Sequence, residues 1–285
     1  MIYLNGEFMR IEQAKISVLD RGFIFGDGVY EVIPSYSRRP FRIAEHLARL
    51  QSSLDAIRLA NPLADAKWSE LVAKIVAGNP WEDQNVYLQV TRGVAKRDHA
   101  FPKGIKPTVF LMASELVTPS QELMKTGARA IVLPDYRWLR CDIKSTSLLG
   151  NCLLRTQAAD EGCAEAILVR DGELTEASAS NVFIVKDGTV LAPPKSHLIL
   201  PGITYDVVLE ILRGNGIAYE VRPVKESELR SAEEVWVTSS SREVLPITTL
   251  DGRPVGTGKP GPVGERVYAL YQQFKQRVMR APAHV

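Results

Sequence analysis

Short apolar runs that end in turn residues constrain the fold of this chain most strongly. The N-terminal run "IYLNGEFMRI" contains Asn5-Gly6 between two apolar segments, a dipeptide typical of tight β-hairpins. The runs "NVYLQVTRGV", "PTVFLMAS", "EAILVRDG" and "NVFIVKDG" likewise favour strands. Hairpins and helices follow one another in an α+β order rather than as repeated βαβ units, so we expect an α+β fold.

Apolar periodicity predicts the helices. One apolar stripe at helical spacing comprises Ile43, Leu47, Leu50, Leu54 and Ile57. Further helices are predicted over residues 66–77 and 147–161, in "ITYDVVLEILRGNG" and in "PVGERVYALYQQFKQ".

A polar stretch with a proline and a glycine, "ELVTPSQELMKTG", suggests a connection between two domains. We therefore predict a smaller N-terminal α+β domain over residues 1–117 and a linker over 118–127. A larger, β-rich C-terminal domain with flanking helices would then span residues 128–285.

Composition excludes several classes of protein. The 285 residues are 45% hydrophobic and 24% charged, which is ordinary for a soluble globular protein. The net charge is +2 and the basic residues are scattered, so we expect neither nucleic acid nor a membrane as partner. The first residues lack a signal-peptide core, and Cys141, Cys152 and Cys163 fit neither a disulfide framework nor a metal site. We expect a cytoplasmic protein without a bound metal.

Two residues indicate cofactor chemistry, each weakly when taken alone. Lys144, in "RCDIKSTSLLGN", is either a surface lysine or an amine that forms a Schiff base with a carbonyl cofactor. Glu176, in "LTEASASNVF", is either an exposed acid at a turn or a buried carboxylate that faces the protonated nitrogen of a pyridine ring. The residues themselves leave both alternatives open.

Two stretches offer groups that could bind a phosphate. The backbone N–H groups of Ile203 and Thr204 follow a Pro-Gly pair at a helix start, although such a pair is also an ordinary helix-start signal. Ser239 and Ser240, in "WVTSSSRE", place hydroxyls at the end of a strand, where they are equally consistent with a plain loop.

Two arginines each have a histidine close by in sequence. Arg49 and His46 form an i, i+3 pair beside the apolar stripe, where the arginine either extends to solvent or grips a phosphate. Arg97 and His99, in "KRDHAF", are two cations in a loop that could hold a substrate or merely decorate the surface.

The order of these motifs is more specific than any one of them. From about residue 2 to 275, "RGFIFGDGVYEV", "EHLARL", "RWLRCDIKS", "GCAEAIL", "LTEASASNVF", "LILPGIT" and "VTSSSREVLPI" resemble the class IV, or fold-type IV, pyridoxal-phosphate aminotransferases. The D-amino-acid aminotransferases are the most similar group. The resemblance implies a two-domain α+β (α/β) fold with the cofactor at the domain interface.

The resemblance also implies a role for each matched position. Lys144 would form the Schiff base with pyridoxal 5′-phosphate and shuttle protons, and Glu176 would face the pyridine nitrogen. The implied phosphate-binding residues are Arg49, Ile203, Thr204 and Ser240, with Ser239 in the same hydroxyl cluster. The implied substrate-binding residues are Tyr30, Arg97 and His99, the last two capturing the substrate carboxylate.

The implied reaction is ping-pong transamination between a D-amino acid, such as D-alanine, and a 2-oxo acid, such as 2-oxoglutarate. In such enzymes the Arg-His pair reaches the active site from the neighbouring subunit, so a homodimer with a shared active site is expected. The preferred side chains, the strictness for D-amino acids, assembly beyond a dimer and the direction of Asp98 are left open.

Three other activities of the same fold compete. A branched-chain L-amino-acid aminotransferase is similar around "LILPGIT", but that group usually follows its lysine with a small residue, Asn and Tyr, and lacks the Arg-x-His trap. Here Lys144 precedes Ser-Thr-Ser, and Arg97 and His99 are present. Aminodeoxychorismate lyase would act on a ring acid without an amino acceptor. An (R)-amine transaminase would need a pocket for donors without a carboxylate.

Overall fold

The computed structural model describes residues 1–281, in two compact units. The first unit comprises Met1–Val117, Ile143–Leu148 and residues 279–281, and the second comprises Thr118–Asp142 and Leu149–Val278. Within residues 1–281, none of the helices combines the length and the apolar character needed to cross a membrane.

The first unit contains a six-stranded sheet in the order β2-β1-β6-β5-β3-β4. Its strands are β1 (Ile2–Leu4), β2 (Glu7–Met9), β3 (Gly28–Tyr36), β4 (Arg39–Pro40), β5 (Gln84–Thr91) and β6 (Thr108–Glu115). Its helices are a short α1 (Arg21–Phe25), α2 (Ile43–Ala56) and α3 (Asp65–Ala77). Asn5 and Gly6 have φ of 51° and 110°, so the predicted hairpin turn is confirmed.

Helices α2 and α3 cover this sheet with the predicted apolar residues. Leu50 and Leu54 of the stripe are fully buried, in one cluster with Trp68 of α3 and with Ile33 and Val86 of the sheet. Helix α2 ends at Ala56, and Ile57 caps it instead of extending it.

The second unit contains a nine-stranded sheet in the order β12-β11-β10-β13-β14-β7-β8-β9, with β15 beside β14. Its strands are β7 (Ala128–Pro134), β8 (Glu165–Arg170), β9 (Glu173–Ala177), β10 (Asn181–Lys186), β11 (Thr189–Ala192), β12 (Tyr219–Val221), β13 (Glu234–Ser239), β14 (Glu243–Leu250) and β15 (Arg253–Pro254). Its helices are α4 (Gln121–Thr126), α5 (Leu149–Asp160), α6 (Ile203–Gly214), α7 (Glu226–Arg230) and α8 (Pro262–Phe274), which a π-helical turn over Lys275–Met279 extends.

Packing in the second unit follows the predicted helices and strands. Leu154 and Ala158 of α5 are fully buried in a cluster with Ala166 and Leu168 of β8. On α6, the ring of Tyr205 lies 5.0 Å from that of Phe183 on β10.

The units differ from the predicted domain boundaries in three places, one of which is that residues 279–281, predicted within the C-terminal domain, group with the first unit. The stretch 118–127, predicted as a linker, contains α4 and groups with the second unit. Residues 143–148, predicted within the C-terminal domain, group with the first unit. The cause is backbone pairing: Tyr30 N–H donates to the Lys144 carbonyl (2.9 Å), and Ser145 forms a bridge with Val29.

A buried ion cluster joins β3 to α2 in the first unit. Glu31 is fully buried and accepts hydrogen bonds from Arg49 Nε and Nη2, each at 2.7 Å, and from His46 Nδ1 at 2.7 Å. Burial acts to raise the pKa of Glu31, but Arg49 and His46 outweigh it and bring the pKa down to about 2. Burial, with the charges of Arg49 and Lys144, lowers the pKa of His46, which is therefore neutral at pH 7 and donates through Nδ1–H.

The ion cluster predicts a loss of stability in Glu31→Gln. The substitution leaves the guanidinium of Arg49 largely buried without its anion, so we expect a loss of about 3 kcal/mol in the free energy of unfolding at pH 7. The measurement is urea unfolding. Glu70→Gln is the control, because Glu70 pairs with Lys67 and Lys74 on the exposed surface of α3, and we expect no comparable loss there.

The lowered pKa of Glu31 also predicts how the stability loss in Glu31→Gln depends on pH. Since the folded pKa of Glu31 lies below its ordinary value of 4.5, its charge stabilises the protein above pH 4.5, and this contribution disappears as the pH falls toward about 2. The stability difference between the wild type and Glu31→Gln should therefore shrink over this window. A difference that grows on acidification contradicts the ion-pair assignment.

Candidate active site

Lys144 lies in the first unit, on the segment that pairs with the start of β3. Its own N–H donates to Ser53 Oγ on α2 (3.2 Å), and its carbonyl accepts from Tyr30 N–H. Its Nζ lies 4.2 Å from the centroid of the Tyr30 ring, within cation–π distance. The backbone is thus held on both sides, and the amine lies beside the aromatic residue predicted to line the substrate site.

Arg49 is oriented by the buried ion cluster. Its bidentate contact with Glu31 fixes the plane of the guanidinium, and its side chain is 11% exposed. The predicted pair with His46 is present on α2, but both side chains contact Glu31. The structure therefore shows what orients Arg49, while its contact with a phosphate stays a prediction.

Arg97 and His99 are exposed on the loop that follows β5. The guanidinium carbon of Arg97 lies 5.4 Å from the centroid of the Phe25 ring, and the His99 ring lies 5.6 Å from the same ring. Between them, Asp98 Oδ1 accepts a hydrogen bond from Ala100 N–H (3.1 Å). The side chains of Arg97 and His99 are thus brought to one aromatic ring, and the carboxylate of Asp98 turns back to its own loop.

Glu176 lies in the second unit, in strand β9, where it is 4% exposed. Its Oε1 accepts from Arg137 Nη1 (2.6 Å), and its Oε2 accepts from Asn181 Nδ2 (3.2 Å) and Leu200 N–H (3.1 Å). Burial raises the pKa of Glu176 to about 7, although Arg137 acts in the opposite direction. Of the two alternatives left by the sequence, the buried carboxylate matches this environment and the exposed acid at a turn does not.

Arg137 is itself held in place by Asp135. Its Nε and Nη2 donate to the two carboxylate oxygens of Asp135, each at 2.9 Å, and Thr175 Oγ1 donates to the same carboxylate (2.9 Å). Burial acts to lower the pKa of Arg137, but Asp135 and Glu176 raise it above its ordinary value, so the guanidinium stays charged. Glu176 therefore faces a cation of fixed orientation.

Ile203 and Thr204 form the first turn of α6, whose N-cap is Gly202. The N–H groups of a first turn have no acceptor within the helix and, with the helix dipole, favour an anion. A Cβ at Gly202 would lie only 2.0 Å from Asn181 Oδ1, so a larger residue there would require either Asn181 or the turn to shift. Asn181 Nδ2 also donates to the Leu200 carbonyl (3.0 Å), which connects this loop to Glu176.

Ser239 ends β13, and Ser240 begins the turn to β14. Ser239 Oγ accepts a hydrogen bond from Arg242 N–H (3.1 Å) and lies 3.4 Å from Ser241 Oγ, so its hydroxyl supports the turn. Ser240 is half-buried in the same turn. The predicted phosphate role of both serines stays a prediction.

Sequence reasoning assigned no role to several residues that orient the predicted ones. They are Glu31, Ser53, Asp135, Arg137 and Asn181. An acid flanked by apolar residues inside a strand, as in "VYEVI", signals a buried paired charge and could have identified Glu31. The contact between Arg137 and Glu176 joins residues far apart in sequence, and no local pattern indicates it.

Comparison with known proteins identifies the family. The family model described as amino-transferase class IV matches residues 28–250. The D-alanine aminotransferase of Bacillus licheniformis is 40% identical over 271 residues, which cover 95% of this chain and 95% of that protein. The D-alanine aminotransferase of Listeria monocytogenes serotype 1/2a is 40% identical over 282 residues, covering 98% of this chain and 96% of that protein.

The backbone agrees with solved structures of the same family. The crystal structure of the Escherichia coli branched-chain amino acid aminotransferase superposes with a TM-score of 0.88 at 26% identity, covering 98% of this chain and 94% of that one. The predicted fold-type IV fold is thereby confirmed. The chain belongs to the class IV aminotransferases.

Proposed function

We propose that this protein transfers the amino group of a D-amino acid, such as D-alanine, to a 2-oxo acid, such as 2-oxoglutarate. The observation that carries the proposal is the exposed Arg97-His99 pair, whose two side chains lie against the ring of Phe25. An arginine with a histidine ring beside it offers hydrogen-bond donors to a carboxylate, which every amino acid and 2-oxo acid bears. The relatives that bear the name D-alanine aminotransferase support the stereochemistry.

We propose pyridoxal 5′-phosphate as the cofactor, and the chemistry of the available groups fits it. The described residues supply an amine at Lys144, a buried carboxylate at Glu176, a guanidinium at Arg49 and a helix N-terminus at Ile203 and Thr204. When bound, this cofactor supplies an electron sink that makes the substrate Cα–H acidic.

Lys144 is the catalytic residue of the proposal. Its amine would hold the cofactor covalently and, once displaced by the donor's amino group, would take the proton from the substrate Cα as a general base. The same Nζ would then return the proton as a general acid. The hydrogen bonds of its backbone to Tyr30 and Ser53 restrict where the amine can reach.

Glu176 would accept a hydrogen bond from the protonated pyridine nitrogen. Among the described residues its Oε1 accepts one hydrogen bond, from Arg137, and a carboxylate oxygen can accept two. A cation placed there would favour the ionised form of a carboxylate whose pKa is otherwise about 7.

We propose a homodimer with a shared active site. Exposed apolar side chains lie near the loop that carries Arg97 and His99: Val18 is 70% exposed, Phe23 68% and Phe101 48%. Exposed apolar surface of this kind is typical of an interface with another chain.

A cytoplasmic location stays a prediction, consistent with the three free cysteines.

A branched-chain aminotransferase is the second candidate, favoured by the backbone match to that enzyme. Half-reactions with D- and L-alanine separate the two. The wild type reconstituted with pyridoxal 5′-phosphate should lose its visible absorbance band with D-alanine and keep it with L-alanine. Loss of the band with L-alanine but not with D-alanine would mean that the donors are L-amino acids.

Lys144→Ala should abolish that absorbance band and the cofactor's covalent attachment after borohydride reduction, as read by peptide mass. Lys67→Ala, on the surface of α3, is the control and should retain both. A wild type that cannot be reconstituted with the cofactor would rule out the enzyme proposal.

Arg97→Ala should raise the transition-state free energy for D-amino acids by about 2–5 kcal/mol, because the substrate carboxylate, which is desolvated on binding, loses its charge partner. For donors without a carboxylate, the rise in transition-state free energy should be much smaller. The measurement is kcat/KM for both donor classes, with Lys96→Ala as control in the same exposed loop. Equal losses for both classes would mean that Arg97 is structural.

Gly202→Ala should weaken cofactor binding, because the added Cβ pushes the first turn of α6 away from Asn181. We expect the dissociation constant of pyridoxal 5′-phosphate to rise about tenfold. Gly214→Ala is the matched control, since Gly214 ends the same helix with open space around it. Unchanged affinity in Gly202→Ala would remove this turn from the proposed phosphate site.

A further inference from the structure

The loop that carries Arg97 and His99 is held through its backbone. Arg21 Nη1 donates to the carbonyl of Asp98 and, at 3.5 Å, to that of Ala100, while its Nη2 donates to the carbonyl of His99 at 3.4 Å. One guanidinium therefore contacts three successive carbonyls. These contacts fix the direction in which the side chains of Arg97 and His99 leave the loop.

Arg21 is anchored at both ends. Its Nε donates to Asp27 Oδ2 (2.7 Å), and its backbone N–H donates to the Gly93 carbonyl (2.9 Å). Asp20, which caps α1, is 1% exposed and accepts from Gly22 N–H (2.8 Å) and from Thr91 Oγ1 (2.8 Å). The helix that presents Arg21 is thus fixed to the sheet.

A second arginine reinforces the same anchor. Arg92 Nε donates to the same oxygen of Asp27 (2.8 Å), and the guanidinium carbon of Arg92 lies 3.6 Å from the centroid of the Phe101 ring. Arg92 Nη2 donates to the Ile57 carbonyl at the end of α2 (2.7 Å). The loop is thereby held by Arg21 along its backbone and by Arg92 at Phe101.

Arg21 also lies against the ring that both substrate-binding candidates share. Its guanidinium carbon is 4.7 Å from the Phe25 centroid, and Arg97 and His99 contact the same ring. Arg21 is only 3% exposed, and its donors point at Asp27 and the loop carbonyls. Its geometry is that of a residue that positions the loop rather than one that contacts a substrate.

We propose that Arg21, anchored by Asp27 and supported by Arg92, is a positioning residue that holds the Arg97-His99 pair in the geometry that binds a substrate carboxylate. This inference rests on the proposed function, because it assumes that Arg97 and His99 bind that carboxylate. Beyond the proposed function, the inference states that the affinity for the substrate carboxylate depends on the guanidinium of Arg21, which does not contact that carboxylate.

The test compares Arg21→Met, Arg97→Ala and the double variant in the cofactor-loaded enzyme. For a D-amino acid, Arg21→Met should raise KM about tenfold with little change in kcat, as expected when charged hydrogen bonds that hold a loop are lost. A donor amine without a carboxylate should be nearly unaffected. The KM of the double variant for the D-amino acid should be no higher than that of Arg97→Ala alone, because both substitutions remove the same interaction with the carboxylate.

Arg38→Met is the matched control. Arg38 also holds backbone carbonyls in the first unit, among them those of Asn79 (2.7 Å) and Trp81 (3.3 Å), but in the turn before β5. It should leave the ratio of KM values for the two donors unchanged. Arg21→Lys keeps the charge but lacks the planar fork and should recover only part of the wild-type KM.

Hydrogen exchange of the peptide over residues 94–103 separates the inference from the proposed function. Faster exchange in Arg21→Met, but not in Arg38→Met, together with the carboxylate-specific rise in KM, supports the inference. Unchanged exchange, or losses that add in the double variant, overturns it. If Arg97→Ala itself affects both donors equally, Arg97 does not bind the substrate carboxylate and the inference fails with that role. If only the inference fails, the loss in Arg97→Ala stays specific to the donor with a carboxylate.

A second variant covers the case in which Arg21→Met does not fold. Phe101→Leu removes the ring under Arg92 at a position that is 48% exposed, so the core is not opened. We expect a smaller rise in KM, about threefold, again only for the donor with a carboxylate. If KM in Phe101→Leu does not rise selectively for the donor with a carboxylate, the role of the anchor is overturned.

Discussion

The organisation of the first unit depends on backbone pairing at the start of β3. There the N–H of Tyr30 donates to the carbonyl of Lys144, which brings a distant segment of the chain to the edge of the sheet. The same stretch of chain supplies the neighbouring charges: Asp27 just before the strand holds two arginines, and Glu31 within it holds Arg49. A change in the register of β3 would therefore displace the lysine, the aromatic face and both ion clusters together.

Both units orient their chemically important side chains with buried carboxylates. Glu31 orients Arg49, Asp27 orients Arg21, and Asp135 orients the Arg137 that faces Glu176. Burying such charges is costly unless they are paired and hydrogen-bonded, so their net contribution to stability is small. Their benefit lies in fixed direction, because a bidentate pair restricts a guanidinium to one plane.

Local pattern predicted much of the fold and less of the candidate site. The hairpin at Asn5-Gly6 and the helices α2, α3, α5, α6 and α8 were predictable, because turn chemistry and periodicity are local. Helix α4 was not, since its polar stretch was predicted as a linker. Strand β9 was not recognised, since Thr175 and Glu176 bury polar side chains there. Strand β14 was not recognised either, since Pro246 within it argues against a central strand.

The amino-acid sequence specifies which residues can do the chemistry: an amine at Lys144, an acid at Glu176, and a guanidinium and an imidazole at Arg97 and His99. Their surroundings come from the three-dimensional fold. It placed Lys144 in the first unit, buried Glu176 against Arg137 and turned Asp98 back onto its own loop. The physical reason is that these arrangements rest on hydrogen bonds and burial, many between residues far apart in sequence, whereas periodicity and turn chemistry report only on neighbours along the chain.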